Sequence, residues 1–309
     1  MKKLWLFFLT LFLSFSFAHA RERCPFVWQI EKAGEPVSYL VGTIHINKKG
    51  RELSGCLNRV LGKSQLLMTE VFMPVDSIEA LNPDSFALFG MLATGNPNGL
   101  RDELGDDLYY KVKNLWQKSP TMQEVLPLYD HLNAWSVNML MTNMTINPDL
   151  SEKNGIDYLL SQRAAAKGIK RTGLESALVG AEIFQELPQD KHIQSLQNAV
   201  TYWQEMEKMN VRLIELYNQG ELVPFFAYAF NDDEQLKFIP LSDRAFWKKW
   251  IYTTLLDERT SSWLPKIQAE LPHQSTVIAV GAMHTIGKNG LVELLKKQGY
   301  SVNAVSSEQ

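Results

Sequence analysis

Residues 276–284 read Thr-Val-Ile-Ala-Val-Gly-Ala-Met-His, an apolar, β-prone run that ends in a glycine followed three positions later by a histidine. The same arrangement occurs near the amino terminus, where residues 39–45 read Tyr-Leu-Val-Gly-Thr-Ile-His. In both places a helical pattern and then another apolar strand follow. Continuous apolar strands joined by helices are typical of a parallel sheet that is covered on both faces. The sequence therefore predicts an α/β fold.

Both copies have the order strand, Gly-x-x-His, helix, strand. A hairpin precedes the first copy, and a third candidate strand runs into Gly173-Leu174-Glu175. The predicted segments are, in chain order, the hairpin strands 26–30 and 37–41, a helix at 52–61, a strand at 65–71, a helix at 155–167, a strand at 169–172, a strand at 276–280, a helix at 290–298 and a strand at 300–305.

Helical patterns with a period of 3.6 residues fill most of the remaining chain. They occupy about 77–150 and 177–270, and no stretch between them has the composition of a domain linker. We therefore predict one domain over 21–309. It consists of a mostly parallel small sheet, built from two strand–Gly-x-x-His–helix–strand units, with a large helical insertion.

Residues 1–20 have the features of a secretory signal peptide. Lys2 and Lys3 precede an apolar run, and Ala18-His19-Ala20 is a small-residue cleavage site. The apolar run is shorter than the roughly 20 residues that a membrane-spanning helix needs. The mature chain is predicted to be periplasmic or secreted, and not to span a membrane after the leader is removed.

The chain contains two cysteines, Cys24 and Cys56. An oxidising compartment favours a disulfide between them. A metal site is the alternative interpretation, but the two residues do not form a Cys-x-x-Cys pair. We therefore predict a structural disulfide.

Composition and charge exclude several classes of protein. Hydrophobic residues make up 45% and charged residues 21% of the chain, as in folded globular proteins. The 34 acidic residues outnumber the 31 basic ones, and no basic block is present. Since polyanions are bound through clustered Lys and Arg, nucleic acid is not an expected partner.

Four candidate site residues lie at or just beyond predicted strand ends: His45, Glu70, Glu175 and His284. The carboxyl ends of parallel strands meet at one edge of a sheet, where α/β proteins form their sites. Imidazole and carboxylate together suit Mn, Fe, Co or Zn. A divalent ion there could activate water, with a glutamate as general base.

Each of these residues also has a structural interpretation. A strand-end histidine can be a simple hydrogen-bonding group, Glu70 can pair with an arginine, and Glu175 can stabilise a helix that starts near Ala177. Arg259 can face water or point inward as an anion partner, and Asp157 can be a first-turn helix acid. The other histidines of the mature chain are expected in surface roles: His131, His192 and His273.

Several of these motifs together resemble the TraB/GumN family, whose relatives include pheromone-shutdown proteins and the Tiki metalloproteases. The similar segments are Tyr39 to His45, Glu70, Gly155-Ile156-Asp157, Gly173-Leu174-Glu175, and Gly281-Ala282-Met283-His284 with Gly287, Gly290-Leu291, Gly299-Tyr300 and Val302. One difference is that Thr260 follows Arg259, where the family has asparagine.

The resemblance implies an α/β core related to the erythromycin-esterase and ChaN folds. It also implies hydrolysis of peptides that depends on a divalent metal, Mn, Co or Zn, as in the Tiki branch. On that basis His45, His284 and Glu70 are the expected metal ligands. Glu70, Glu175 and Arg259 are the expected catalytic residues.

Two kinds of function follow from these residues. The first is a secreted metal-dependent hydrolase, with a peptide or protein as substrate. The alternative is a non-catalytic periplasmic protein of the same fold that binds haem or a metal ion through the strand-end histidines. A haem titration followed by visible absorption separates the two, because only the second predicts a Soret shift that depends on His45 or His284.

Overall fold

The structure, a computed structural model, describes residues 24–93 and 99–305, so the predicted leader lies outside the described residues. Its strands are β1 (Val27–Glu31), β2 (Ser38–Thr43), β3 (Asn47–Lys48), β4 (Leu66–Val71), β5 (Leu150–Ser151), β6 (Lys170–Glu175), β7 (Thr276–Gly281) and β8 (Ser301–Ala304). Six of them form the main sheet in the order β6-β4-β7-β2-β1-β8, and β3 pairs with β5 in a separate small sheet.

The helices are α1 (Gly55–Gly62), α2 (Pro83–Ala93), α3 (Gly99–Leu104), α4 (Asp106–Lys118), α5 (Ala134–Met141), α6 (Ile156–Ala166), α7 (Ala177–Gln185), α8 (Gln189–Gln219), α9 (Leu222–Ala229), α10 (Asp232–Gln235), α11 (Arg244–Lys249), α12 (Arg259–Glu270) and α13 (Leu291–Lys297). A π-helical segment, Trp250–Glu258, joins α11 to α12. Short 3-10 turns occur at Glu79–Leu81, Leu126–His131, Glu152–Asn154 and Ala282–His284.

The main sheet is mostly parallel, as predicted. Strand β1 is antiparallel to both β2 and β8, whereas β2, β4, β6 and β7 pair in parallel. The two repeated units differ in their connection. The second one returns to the far edge, because β2 and β1 lie between β7 and β8. The α/β class and the mostly parallel sheet are thus confirmed.

The central strands are apolar over most of their length because both faces of the sheet are covered. Leu40, Leu66 and Leu67 have no exposed surface, and neither do Val277 and Ile278. Apolar faces of α1, α6, α12 and α13 pack into the same core, together with residues of α8 and α9. This core holds the strand ends rigidly, which is what a site built on them requires.

The inserted helices form two further apolar clusters of their own. One joins α3, α4 and α5 to the first half of α8, and Trp116 and Tyr129 are its largest fully buried side chains. The other joins α7 to α11 and to the π-helical segment through Phe184, Trp247 and Trp250. Helix α8 runs from the first of these clusters to the core around the main sheet and is kinked at Tyr202.

The structure differs from the sequence-based expectations in local features. The pairing of β3 with β5 involves two residues in each strand, too few for a pattern to register. Residues 94–102 are rich in Gly, Asn and Pro, a composition that predicts a loop, but α3 begins within them at Gly99. The expected surface role of His192 is wrong, because the residue is 3% exposed and contacts Asn138 inside the insertion.

The predicted disulfide between Cys24 and Cys56 is confirmed, with Cα atoms 5.7 Å apart. None of the helices within 24–93 and 99–305 is long and apolar enough to cross a membrane.

We expect the Cys24→Ser, Cys56→Ser double variant to have a free energy of unfolding about 3 kcal/mol lower, since the disulfide closes a loop of about 30 residues in the unfolded chain. Urea denaturation of the oxidised wild type beside the double variant measures this. An unchanged midpoint would show that the crosslink contributes nothing to stability.

Candidate functional site

The carboxyl ends of four parallel strands bring the predicted residues to one edge of the sheet. His45 follows β2 by two residues, Glu70 is the second-last residue of β4, and Glu175 ends β6. His284 ends the 3-10 turn that follows Gly281, the last residue of β7. The register pairs Thr43 with Gly281 and Val71 with Glu175, so the four strand ends are level.

The imidazole of His284 is held in one tautomer. Thr260 Oγ1 donates its only hydrogen to the carbonyl oxygen of Leu256 (2.6 Å), so it accepts from His284 Nδ1 (2.7 Å). The proton of His284 is therefore on Nδ1, and Nε2 carries a lone pair. The ring is 5% exposed and packs on Trp263.

His45 is held in a comparable way by a carboxylate. Its Nδ1 is hydrogen-bonded to Oδ2 of Asp157, a buried residue at the start of α6. The chain passes close to His45 here, since Ile156 N donates to Ile44 O (2.9 Å). Gly155 permits this approach, because a Cβ at that position would lie 2.3 Å from the carbonyl oxygen of His45. Nε2 of His45 is left for a ligand, and the side chain is half-exposed.

Glu70 lies between the two histidines. Its Oε1 accepts from Gly281 N (2.7 Å) and is 3.8 Å from His284 Nε2, while its Oε2 accepts from Arg259 Nη2 (2.9 Å). Because Gly281 has no side chain, a space remains between Glu70, His45 and His284. A Cβ there would lie 3.1 Å from Glu70 Oε1, 3.7 Å from His45 Nε2 and 3.6 Å from His284 Cδ2.

Of the two orientations expected for Arg259, the structure has the inward one, and the side chain does not face water. It is the first residue after the π-helical segment, and its Nε and Nη2 donate to Glu175 Oε1 (3.0 and 2.5 Å). Trp263 Nε1 donates to the other oxygen of Glu175 (2.6 Å). Both oxygens of Glu175 are thus engaged in holding Arg259 and Trp263, an arrangement suited to positioning Arg259.

Burial and charge set the protonation states at this edge. Burial lowers the pKa of His284 to about 4, so the ring is neutral at neutral pH. The negative charge of Asp157 raises the pKa of His45 to about 9, so the ring is protonated in the metal-free protein and an ion would displace the proton on Nε2. Burial alone would raise the pKa of Glu70, but His284, His45, Arg259 and the Gly281 amide together lower it to about 2. Glu70 is therefore ionised.

A cation fits this set of ligand atoms. Nε2 of His284 and Oε1 of the ionised Glu70 are both acceptors, 3.8 Å apart in a buried site. Two ligands each about 2.1 Å from an ion can be at most about 4.2 Å apart, so one ion could contact both. Histidines that bind metal commonly have their other nitrogen held by a carboxylate or another polar group, as both histidines do here.

The side chains would have to close slightly around an ion. Among residues 24–93 and 99–305, no three His, Cys, Asp or Glu side chains already stand in a metal-ready arrangement. The half-exposed His45 is the ligand with most freedom to adjust, since His284 and Glu70 are both buried.

Two cavities meet at these residues. One has a volume of about 320 Å³ and extends towards α8 and α9. The other, of about 640 Å³, extends towards α7 and the π-helical segment. His45, Glu70, Arg259 and His284 line both. The site thus lies where the two cavities meet, and the two cavities together form a cleft.

Sequence reasoning missed the roles of two residues. Asp157 was interpreted as a first-turn helix acid, whereas it holds His45, and Thr260 was seen only as a difference from the family. The Gly155-Ile156-Asp157 motif carried a signal for the first, because a glycine directly before a helix often marks a close approach of two backbones. No comparable signal identified Thr260.

The model of the TraB/PrgY/gumN family matches residues 26–304. YbaP of Shigella flexneri is 24% identical over 267 residues, which cover 85% of this chain and 89% of that protein. YbaP of Escherichia coli (strain K12) is 25% identical over 201 residues, which cover 64% of this chain and 68% of that protein. Metalloprotease TIKI1 of Danio rerio is 23% identical over 332 residues, which cover 92% of this chain and 64% of TIKI1.

No solved structure matches the chain significantly. The match to the family model extends from the first strand of the main sheet to its last, and includes all the residues assembled at the strand ends. The chain belongs to the TraB/PrgY/gumN family.

Proposed function

We propose that this protein is a hydrolase that depends on a divalent metal ion and acts on peptides outside the cytoplasm. The observation that carries the proposal is the buried pair of acceptors, His284 Nε2 and Glu70 Oε1, with His45 Nε2 bordering the same space beside Gly281. The disulfide between Cys24 and Cys56 is compatible with an extracytoplasmic location.

The residues that would hold the ion are His45, His284 and Glu70. Mn, Co and Zn all accept a set of two imidazoles and one carboxylate. When bound, such an ion would polarise the scissile carbonyl and lower the pKa of a water molecule.

Residues of the protein orient the ligands, accept a proton and stabilise developing charge. Asp157 and Thr260 keep both imidazoles in the orientation described above. Glu70 would act as general base as well as ligand, because it lines both cavities beside the two histidines, whereas Glu175 lines neither. Arg259 keeps Glu70 ionised. Its Nη1 makes only a long bond to Leu255 O (3.4 Å) and can donate to the carbonyl oxygen as negative charge develops.

Two observations favour a peptide as substrate. The cleft continues in both directions from the candidate catalytic residues, which suits an extended chain that passes over them. A relative that aligns with 92% of this chain is named a metalloprotease.

The proposal is tested by treating the protein with a chelator, reconstituting it with Mn, Co or Zn, and incubating it with a mixture of synthetic peptides. Mass spectrometry then identifies any products. We expect cleavage after reconstitution with at least one of the ions and none in the chelated sample. Cleavage that persists in chelator, or no cleavage with any of the ions, would contradict the proposal.

We expect Asp157→Asn to weaken metal binding about 10- to 100-fold, because the amide keeps the shape of the carboxylate but not the charge that orients His45 and makes it more basic. Competition with a chromophoric chelator measures the affinity. Asp149→Asn, the same change at an exposed position, is the matched control. Equal affinities for the two variants would argue against a role for Asp157 in the site.

A further inference from the structure

We infer that the cleft selects peptide segments with bulky apolar side chains on both sides of the bond to be cleaved, and that it excludes acidic segments. This inference rests on the proposed function, and it concerns which peptides that site accepts. It is based on the walls of the two cavities and on the charges that line them.

The smaller cavity has an apolar end away from the strand edge. Met144, Trp203 and Leu213 line it, and so do Ile214 and Phe225. Trp203 follows the kink of α8 at Tyr202 and also packs on the cluster of the insertion. A volume of about 320 Å³ is sufficient for a large side chain. The apolar wall favours an apolar side chain, because a polar one would be buried there without a hydrogen-bond partner.

The larger cavity is apolar on the opposite side of the site. Phe184, Ile251 and Leu255 line it together with Met73. Ile251 and Leu255 belong to the π-helical segment that ends directly before Arg259. An extended peptide that places its carbonyl near His45 and Glu70 would therefore direct side chains into apolar surroundings on both sides.

Carboxylates outnumber the positively charged groups that line the cleft. Glu207 lines the smaller cavity, Glu152 and Asp157 line the larger one, and Glu70 lines both, whereas the positive groups are Arg259 and His45, which line both. The Oε2 atom of Glu152 is buried and has no hydrogen-bond partner among the described residues. An acidic peptide side chain in either cavity would meet carboxylates in surroundings of low polarity, where repulsion between like charges is strong.

Binding to the metal-free protein tests this inference independently of catalysis. Three fluorescein-labelled octapeptides share their ends and differ in the four central residues, which are Leu and Phe, Ser and Gly, or Glu. Fluorescence anisotropy gives the affinity for the wild type, for Trp203→Ala and for Leu255→Ala. Glu205→Ala, an exposed position on α8, is the matched control. Circular dichroism checks that each variant is folded, and Trp203→Phe replaces any variant that is not.

We expect the apolar peptide to bind at least about tenfold more tightly than the Ser/Gly peptide, and the Glu peptide to bind most weakly. The alanine variants at Trp203 and Leu255 should each lose most of this preference, and the control none. Equal affinity for the three peptides, or a preference that both variants retain, would overturn the inference. Selective binding without cleavage after metal reconstitution would count against the hydrolase and leave the selectivity standing.

Discussion

His284→Gln is expected to lower the rate of metal-dependent peptide cleavage by more than about 100-fold. Loss of a residue that only supports a metal ligand lowers activity by up to about 100-fold. His284 is proposed to be a ligand itself, so its loss should cost more. Glutamine keeps a polar side chain for Thr260 but does not place a lone pair where Nε2 lies beside Glu70. Initial rates on one cleaved peptide, measured for the reconstituted wild type and the variant, give the ratio.

The control for this prediction is the fold of the variant. The ring of His284 packs on Trp263, so some loss of stability is expected from the substitution alone. Near-ultraviolet circular dichroism and thermal melts in chelator show whether the variant is native at the assay temperature. A native variant that cleaves at the wild-type rate would remove His284 from the mechanism.

Arg259→Met is expected to lower the free energy of unfolding of the metal-free protein by at least about 3 kcal/mol. The guanidinium neutralises Glu70 and Glu175, whose side chains are 11% and 6% exposed. Removing one member of a buried ion pair leaves a charge without compensation, which is far more costly than losing a surface pair. Urea denaturation measures the difference.

The matched variant is Arg259→Met combined with Glu175→Gln. Because it removes one of the two carboxylates left unpaired, it should be more stable than Arg259→Met alone. A single variant as stable as the wild type would mean that solvent, and not Arg259, compensates these carboxylates. The arginine would then have no positioning role at the strand ends.

Most of the fold could be predicted from the sequence because its central strands are unambiguous. Runs such as Thr276 to Val280 are apolar throughout, and each is followed by a glycine and a helix with one apolar face. The order of the strands was less accessible. The position of β8 beyond β1 depends on a crossover that no local pattern encodes.

The candidate site, like the fold, could be predicted only in part. His45, Glu70, Glu175 and His284 could be identified because strand ends in a parallel sheet lie together whatever the loops do. Their partners could not, since the contact of His45 with Asp157 joins residues 112 positions apart. The sequence left open whether Arg259 faces water or points inward, because its direction depends on the π-helical segment before it, whose wider turn changes which face of the helix the residue occupies.

The central claim is that His45, His284 and Glu70 bind a metal ion, and its most direct test is metal content. The wild type, His45→Gln and His284→Gln are reconstituted with a mixture of Mn, Co and Zn, desalted, and analysed by mass spectrometry of the elements. The account predicts close to one ion per chain in the wild type and almost none in either variant. A wild type without bound metal, or variants that retain it at the same level, would contradict the account.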